Sequence, residues 1–303
     1  NDKRGSTMQH SPPVARPEEA AAQVSGGDRV EIDTPTLITV SALAWAVANV
    51  FHEIVGHAGA AVVLGIPVRA VSTTTAYVDW TAIESAAEDR IINAAATPVN
   101  VVTGALALAA LRWLHVHSAA TRYFLWLFAV ISFTMAAWNM VTLPLLGAGD
   151  WGSIAEGLDH AGFWTAGVVA AGLAVTLVAY RLSLRLFLPD LRHQPELRHK
   201  IIFVPVATMI VVQTLSVLPS PFATAPGDAN HLMASVFAYA HLMAWAVFVN
   251  RGVGPRAPRR VDDLTLDRST GWLATGAVLI IAYVAVLGPG LGPLEDDPRL
   301  NSS

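Results

Sequence analysis

The chain has 303 residues, of which 53% are hydrophobic and only 14% charged, with a net charge of −4 and a mean hydropathy of +0.48. Soluble domains carry about 25% charged residues, so this composition excludes an ordinary soluble domain. The sequence contains no cysteine, which excludes disulfides and thiolate chemistry and leaves His, Asp, Glu or water as metal ligands.

Seven apolar stretches are long enough to cross a bilayer, which takes roughly 20 helical residues. The chain is therefore predicted to be an all-α polytopic membrane protein with about seven transmembrane helices, with the lipid bilayer as a partner and no nucleic acid. The predicted spans are 36–66, 91–114, 123–146, 164–188, 201–219, 231–249 and 272–291.

The stretches outside these spans predict the domain organisation. Residues 1–33 are polar and rich in Pro, Ala, Glu and Gly, which is typical of a disordered cytosolic tail. Residues 34–160 would form a membrane core of three helices with short strands at 68–80, 161–293 a further region of four helices, and 294–303 a short tail.

The basic residues indicate the orientation in the membrane. With seven spans, 16 of the 19 Lys and Arg residues fall on the side of the N-terminus. The positive-inside rule then predicts a multi-pass protein of the cell membrane with a cytoplasmic N-terminus.

The first span contains the sequence His52-Glu-Ile-Val-Gly-His57. His52 lies roughly 24 Å along the helix from the cytosolic start at Thr36, which predicts a position in the outer half of the bilayer. Ionisable residues at this depth are costly and are candidates for a functional site. Neutral imidazoles bind zinc, and a glutamate directly after the first histidine is the general base of His-Glu-x-x-His zinc hydrolases.

The two histidines carry one residue more between them than that motif has. At five positions apart they lie roughly 140° from each other on a regular α-helix and cannot bind one metal ion together. A π-helical bulge, in which hydrogen bonds run from i to i+5, reduces this offset to about 50°. The zinc hypothesis therefore requires a π-helical bulge between His52 and His57, and a straight α-helix would contradict it.

The next elements in the chain are short strands and polar helix positions. Residues 68–80 are rich in β-branched and aromatic residues after Pro67, which predicts one or two short strands. The second span contains Thr97-Pro-Val-Asn100, and the third ends with Asn139 and Pro144 before Asp150-Trp-Gly152. Asn100 and Asn139 are candidates for binding the substrate or the reaction's oxyanion, or for bonding helices together.

Together these features resemble the site-2 protease family of intramembrane zinc metalloproteases over residues 36–160. That family has a His-Glu-x-x-His helix, a β-rich segment, a Gly-Pro-x-x-Asn-like element, and Asn-x-x-Pro followed by Asp-Gly. The longer spacing of His52-Glu-Ile-Val-Gly-His57 resembles the motif of dipeptidyl peptidase III, a soluble zinc peptidase. The spacings in this chain differ from the family pattern throughout, whereas the order and type of the residues match.

The resemblance implies that His52, His57 and Asp150 hold one Zn²⁺ and that Glu53 is the general base. It implies an intramembrane metalloprotease that hydrolyses a peptide bond of a membrane-protein or peptide substrate. Other residues remain alternatives for the third ligand: Glu156, Asp159, His160, His231 and His241. The alternative functions are a membrane zinc hydrolase of a lipid or another amide, and a transporter or ion-binding protein without enzymatic activity.

Overall fold

The computed structural model describes residues 32–191, 195–217 and 266–292. In these ranges the chain is α-helical apart from a two-stranded sheet and the connecting loops. Six helices are long and apolar enough to cross a membrane, as judged by length and composition. Their spans are Thr34–Val63 (in α1), Ala86–Trp113 (α2), Ala119–Leu145 (α3), Ala161–Leu182 (in α5), His199–Val217 (in α6) and Thr270–Leu287 (α7). A short helix α4, Gly149–Glu156, lies between α3 and α5.

These six spans agree with six of the seven predicted from the sequence, and the span predicted at 231–249 lies outside the described residues. The second span differs at its start, where α2 begins at Ala86 rather than at residue 91. Ser85 and Glu88 form a capping box at the start of this helix. The Ser85 hydroxyl accepts a hydrogen bond from the backbone N–H of Glu88, and the Glu88 carboxylate accepts one from the backbone N–H of Ser85. These caps allow the helix to start in a polar segment. Helix α5 covers Ala161–Leu191 and helix α6 covers Pro195–Val217, so each is longer than its membrane span.

Two of the long helices contain π-helical segments within the core region. α1 is α-helical over Thr34–Val50, π-helical over Phe51–Ala58 and α-helical again over Gly59–Val63. α3 has a π-helical segment at Trp138–Thr142. The last helix, α7, ends in a third π-helical segment at Tyr283–Leu287.

The predicted β segment forms an antiparallel hairpin of β1, Val68–Val71, and β2, Ala76–Val78. A 3₁₀ turn, Trp80–Ala82, follows it. Val71 also exchanges both backbone hydrogen bonds with Leu291, which lies after α7. Val71 is paired with Ala76 across the hairpin, but its N–H and C=O groups bond to Leu291 and not to Ala76. The backbone N–H and C=O of Ala76 therefore point away from β1.

The packed core is formed mainly by α1 and α3, whose apolar side chains are largely buried, whereas α5 exposes apolar side chains along its length. The start of the described chain belongs to this core. Ile32, which the prediction placed in the disordered tail, is buried and pairs with Leu266. Asp33 caps α1 by accepting hydrogen bonds from Thr36, and these bonds hold the pKa of its carboxyl below the ordinary value. Residues 1–31 and the predicted tail at 294–303 lie outside the described residues.

Candidate metal centre

The π-helical segment of α1 satisfies the requirement that the extra residue imposed. It covers Phe51–Ala58 and therefore includes both histidines. His52 and His57 are 6% and 9% exposed, and their ring centroids lie 5.1 Å apart. The wider turn absorbs the additional residue, so the two imidazoles lie on the same side of the helix.

Asp150 reaches the histidines from the first turn of α4. The turn before it contains Gly147 and Gly149, with φ values of 64° and 68°. A side chain at Gly149 would also clash with Leu143. This left-handed glycine turn reverses the chain after α3 and directs Asp150 back toward α1.

The three side chains converge on one point. The Nε2 atoms of His57 and His52 lie 3.5 Å and 3.9 Å from Oδ2 of Asp150. One ligand atom from each side chain lies within 4.8 Å of the other two, and these three residues are the one group of His, Asp and Glu in the described ranges that could hold a metal ion. Oδ2 of Asp150 is buried and accepts no hydrogen bond from any residue that the structure describes.

The electrostatic environment favours the ionised carboxylate of Asp150. Burial alone raises the pKa of Asp150, but the facing imidazoles of His57 and His52 oppose this effect when they are protonated, and the pKa then lies below its ordinary value. The ionised form is the one that binds a metal ion.

Helix α2 contacts both histidines through one face, on which the contacting residues recur every four positions. The carbonyl oxygen of Ile92 lies 2.8 Å from Nδ1 of His57, and Nδ2 of Asn100 lies 2.8 Å from Nδ1 of His52. Between them Ala96 packs against Gly56, whose missing side chain would lie 2.5 Å from the Ala96 Cα. The close approach allowed by these small residues brings the polar groups of α2 within reach of the histidines.

The same helix also holds α4. The indole Nε1 of Trp151, next to Asp150, donates a hydrogen bond to Thr97 Oγ1 at 2.9 Å. At the other end of α4, Arg90 donates to the carbonyl of Gly157 at 2.8 Å. All three candidate ligands are therefore positioned directly or through a neighbour by α2.

Glu53 lies between the histidines in sequence and is 7% exposed. The backbone N–H of Ala76 in β2 faces its carboxylate. The outer edge of β2 therefore lies against Glu53, beside the candidate metal centre.

The tip of the hairpin is held among three transmembrane helices. Asn49 of α1 donates hydrogen bonds to the Thr73 carbonyl and to the hydroxyl of Tyr283 in α7. The backbone N–H of Thr73 donates to Leu287, and its hydroxyl to the carbonyl of Ser216 in α6. These contacts fix the hairpin, and with it the amide of Ala76, relative to α1.

The structure assigns different surroundings to the two predicted asparagines. Asn100 is fully buried against His52. Asn139 donates to the carbonyl of Met135 in its own helix at 3.3 Å.

The structure tests three of the five alternatives for the third ligand. Glu156, Asp159 and His160 are not members of the convergent group, and His231 and His241 lie outside the described residues.

Sequence reasoning did not identify the supporting groups Ile92, Thr97, Trp151 and Ala76. The spacing of Ile92, Ala96 and Asn100 on one helix face was a usable signal for α2. The contributions of the Ile92 carbonyl and the Ala76 amide carry no such signal, because every residue has these groups.

Comparison of the chain with protein-family models, with curated proteins and with solved structures finds no match.

Proposed function

We propose that the protein is a zinc-dependent membrane hydrolase that cleaves a peptide bond in or near the membrane. The observation that carries this proposal is the convergence of His52, His57 and Asp150 on one point, with Glu53 buried in the same π-helical segment. Two imidazoles and a carboxylate form a donor set suited to catalytic zinc, which takes three protein ligands and one water.

The distances within the site support a single ion. Ligands at about 2.1 Å from a tetrahedral zinc lie roughly 3.4 Å from one another. The two measured separations from Asp150 Oδ2 are 3.5 Å and 3.9 Å. A buried carboxylate oxygen with no hydrogen-bond partner in the described ranges is costly in a protein, and a bound cation removes that cost.

Bound zinc supplies a Lewis acid that polarises the scissile carbonyl and lowers the pKa of a water molecule. Glu53 would accept a proton from the attacking water as general base and would then donate it to the leaving amine. The Ala76 amide faces the Glu53 carboxylate and can orient it. His52, His57 and Asp150 would hold the ion, and α2 fixes the orientation of these side chains.

The hairpin favours a peptide over a lipid as the substrate. Ala76 in β2 faces Glu53 with its N–H, and its carbonyl, which also points away from β1, can accept a backbone hydrogen bond from an extended peptide added to this edge. This pairing would place the peptide backbone beside the general base, whereas an acyl chain has no groups to pair with a strand.

The proposal is tested by zinc analysis and by cleavage. The wild-type protein, Glu53→Gln and Asp150→Ala are purified in detergent without chelator, and zinc is measured per chain. Each is then incubated with solubilised membrane proteins of the source cell, and new amino termini are counted. We expect about one zinc in the wild type and in Glu53→Gln, and its loss in Asp150→Ala.

Cleavage should fall by about 10²- to 10⁴-fold in Glu53→Gln, because the variant lacks the general base. Absence of stoichiometric zinc in the wild type would refute the metal site. Equal cleavage by the wild type and Glu53→Gln would refute the role of Glu53. Release of fatty acid or of another amide product, with no new amino termini, would refute the peptide substrate.

A further inference from the structure

The two histidines present the same ring nitrogen to Asp150 but have different partners behind them. For both rings Nε2 faces Asp150 and Nδ1 faces α2. The partner of His57 is the Ile92 carbonyl, which can only accept a hydrogen bond. His57 therefore carries a hydrogen on Nδ1, so in the neutral ring the Nε2 lone pair points at Asp150, which is the form that binds a metal.

The partner of His52 is an amide side chain, which can donate or accept. Nδ2 of Asn100 lies 2.8 Å from Nδ1 of His52, and Oδ1 of Asn100 is buried without a hydrogen-bond partner among the described residues. With Nδ2 donating, Nδ1 of His52 is an acceptor and the hydrogen is on Nε2, which then cannot bind an ion. Rotation of the amide by about 180° exchanges the two atoms in nearly the same positions and reverses this assignment.

We propose that Asn100 is a positioning residue that selects the tautomer of His52. With its carbonyl oxygen toward His52, Nδ1 donates and Nε2 is free to bind the metal of the proposed site. With its amide nitrogen toward His52, the ring is held in the form that does not bind. The inference rests on the proposed function, because it concerns the same metal.

The surroundings of Asn100 make this control effective. The side chain is fully buried, so bulk water does not compete for His52. The contact between Gly56 and Ala96 holds α1 against α2 one turn away and fixes the distance between the amide and the ring. Either amide orientation leaves one polar group of Asn100 without a described partner, so the orientation that accepts from His52 carries no additional loss of hydrogen bonds.

This role differs from direct contact with the substrate. The amide is 48 positions from His52 in sequence and is fully buried behind the imidazole, on the side opposite Asp150. Asn100 therefore acts through the ligand, and its replacement should change metal affinity before it changes any step of the reaction.

The test compares zinc affinities of detergent-purified protein, measured by competition with a chromophoric chelator. Asn100→Leu removes the acceptor and should weaken zinc binding by about 10- to 100-fold. Asn100→Asp can only accept and should restore binding to the wild-type value or better. Thr103→Val is the matched control, because the Thr103 hydroxyl donates only to carbonyls of its own helix, and it should bind zinc as the wild type does.

A second measurement does not depend on the folding of any variant. Wild-type protein with ¹⁵N-labelled histidines is titrated with zinc, and the ring nitrogens that respond are observed by NMR. We expect a hydrogen on Nδ1 and none on Nε2 for both responding rings. A ring that binds zinc through Nδ1 would overturn the inference.

The possible failures can be told apart. A wild-type protein that binds no zinc refutes both the proposed function and the role of Asn100. A wild-type protein that binds zinc, together with an Asn100→Leu variant that binds it equally tightly, refutes the role of Asn100 alone.

Discussion

Gly56 is the residue at which α1 and α2 come closest. A side chain there would meet the Cα of Ala96 at 2.5 Å and its Cβ at 2.7 Å, so one of the two backbones would have to move. Gly59, three residues later in α1, has room, with its nearest neighbour at 3.5 Å. The requirement for glycine at position 56 thus arises from the neighbouring helix and not from the conformation of α1 itself.

We predict that Gly56→Ala destabilises the protein and weakens metal binding. The added methyl group pushes α1 from α2, which costs roughly 1–3 kcal/mol and lengthens the hydrogen bond from His57 to the Ile92 carbonyl. Gly59→Ala is the matched control and should leave both properties unchanged or slightly improved. Thermal unfolding in detergent and zinc content per chain measure the two effects. Equal behaviour of the two variants would show that the close contact is not needed.

At the scale of elements, the π-helical segment of α1 has a simple origin in the chain. One residue more than an α-helical turn accommodates is inserted between the histidines, and the widened turn absorbs it over Phe51–Ala58. The side chains of the α-helical parts before and after it therefore face the same neighbours as they would without the inserted residue. α1 can therefore bury Trp45 against Gln213 before the bulge and Gly56 against Ala96 within it.

We predict that deletion of Val55 converts this segment to a regular α-helix and preserves zinc binding. Val55 is 48% exposed, so little packing is lost with it. The deletion places the two histidines at i and i+4, the spacing that regular zinc helices use. Zinc content and thermal unfolding are the measurements.

Deletion of Val47, in the α-helical part of α1, is the control for this experiment. It rotates one side of the helix by about 100° relative to the other, because no bulge is present to absorb the change. This variant should lose stability and metal. Loss of zinc from both deletion variants would contradict the inserted-residue explanation.

At the scale of the whole molecule, the ends of the helices group at two opposite faces of the bundle. Ile32, before α1, accepts a hydrogen bond from Lys200 at the start of the span in α6, and Thr36 accepts one from Ser269 before α7. At the other face, Thr73 bonds to the ends of α6 and α7. α6 therefore ends at the face opposite to the one where α7 begins, and the span predicted at 231–249 falls between them, outside the described residues.

The candidate metal centre lies toward the face that carries the hairpin and α4. The loop at residues 114–118, which connects α2 to α3, belongs to the opposite face. If the basic loops are cytoplasmic, the hairpin face is outside the cell. Asp79 on this face is paired with Arg69, and the Thr81 hydroxyl together with this arginine holds the pKa of Asp79 below its ordinary value despite the opposing effect of burial.

We predict that labelling of single-cysteine variants places the hairpin face outside the cell. The chain has no cysteine of its own, so no native residue reacts with the label. Asp159→Cys, on an exposed residue between α4 and α5, should react with a membrane-impermeant maleimide in sealed right-side-out vesicles. His117→Cys, exposed between α2 and α3, should react only after the vesicles are opened. The unsubstituted protein is the control for non-specific labelling. The reverse pattern would place the metal centre on the cytoplasmic side.

Much of this architecture could be predicted from residues close together in the sequence. The apolar lengths predicted six of the described helices, because membrane burial demands roughly 20 apolar residues wherever a helix crosses. The β-branched run predicted the strands, and the spacing of His52 and His57 posed the choice between a π-helix and no shared metal. These are local properties, since each follows from the residues of one segment and the geometry of a helix or a strand.

The tertiary structure decided which distant groups meet. The convergence of Asp150 with the histidines depends on two left-handed glycines and on the docking of Trp151 against Thr97. Asn100 lies behind His52 only because Gly56 and Ala96 allow two helices to touch. The sequence by itself therefore determined a membrane protein with a candidate metal-binding helix. The resemblance implied Asp150 as third ligand beside several alternatives, but its convergence with the histidines and the groups that orient the ligands came from packing. Such contacts join residues that are about 35 to 100 positions apart in the chain and depend on the shapes of both partners.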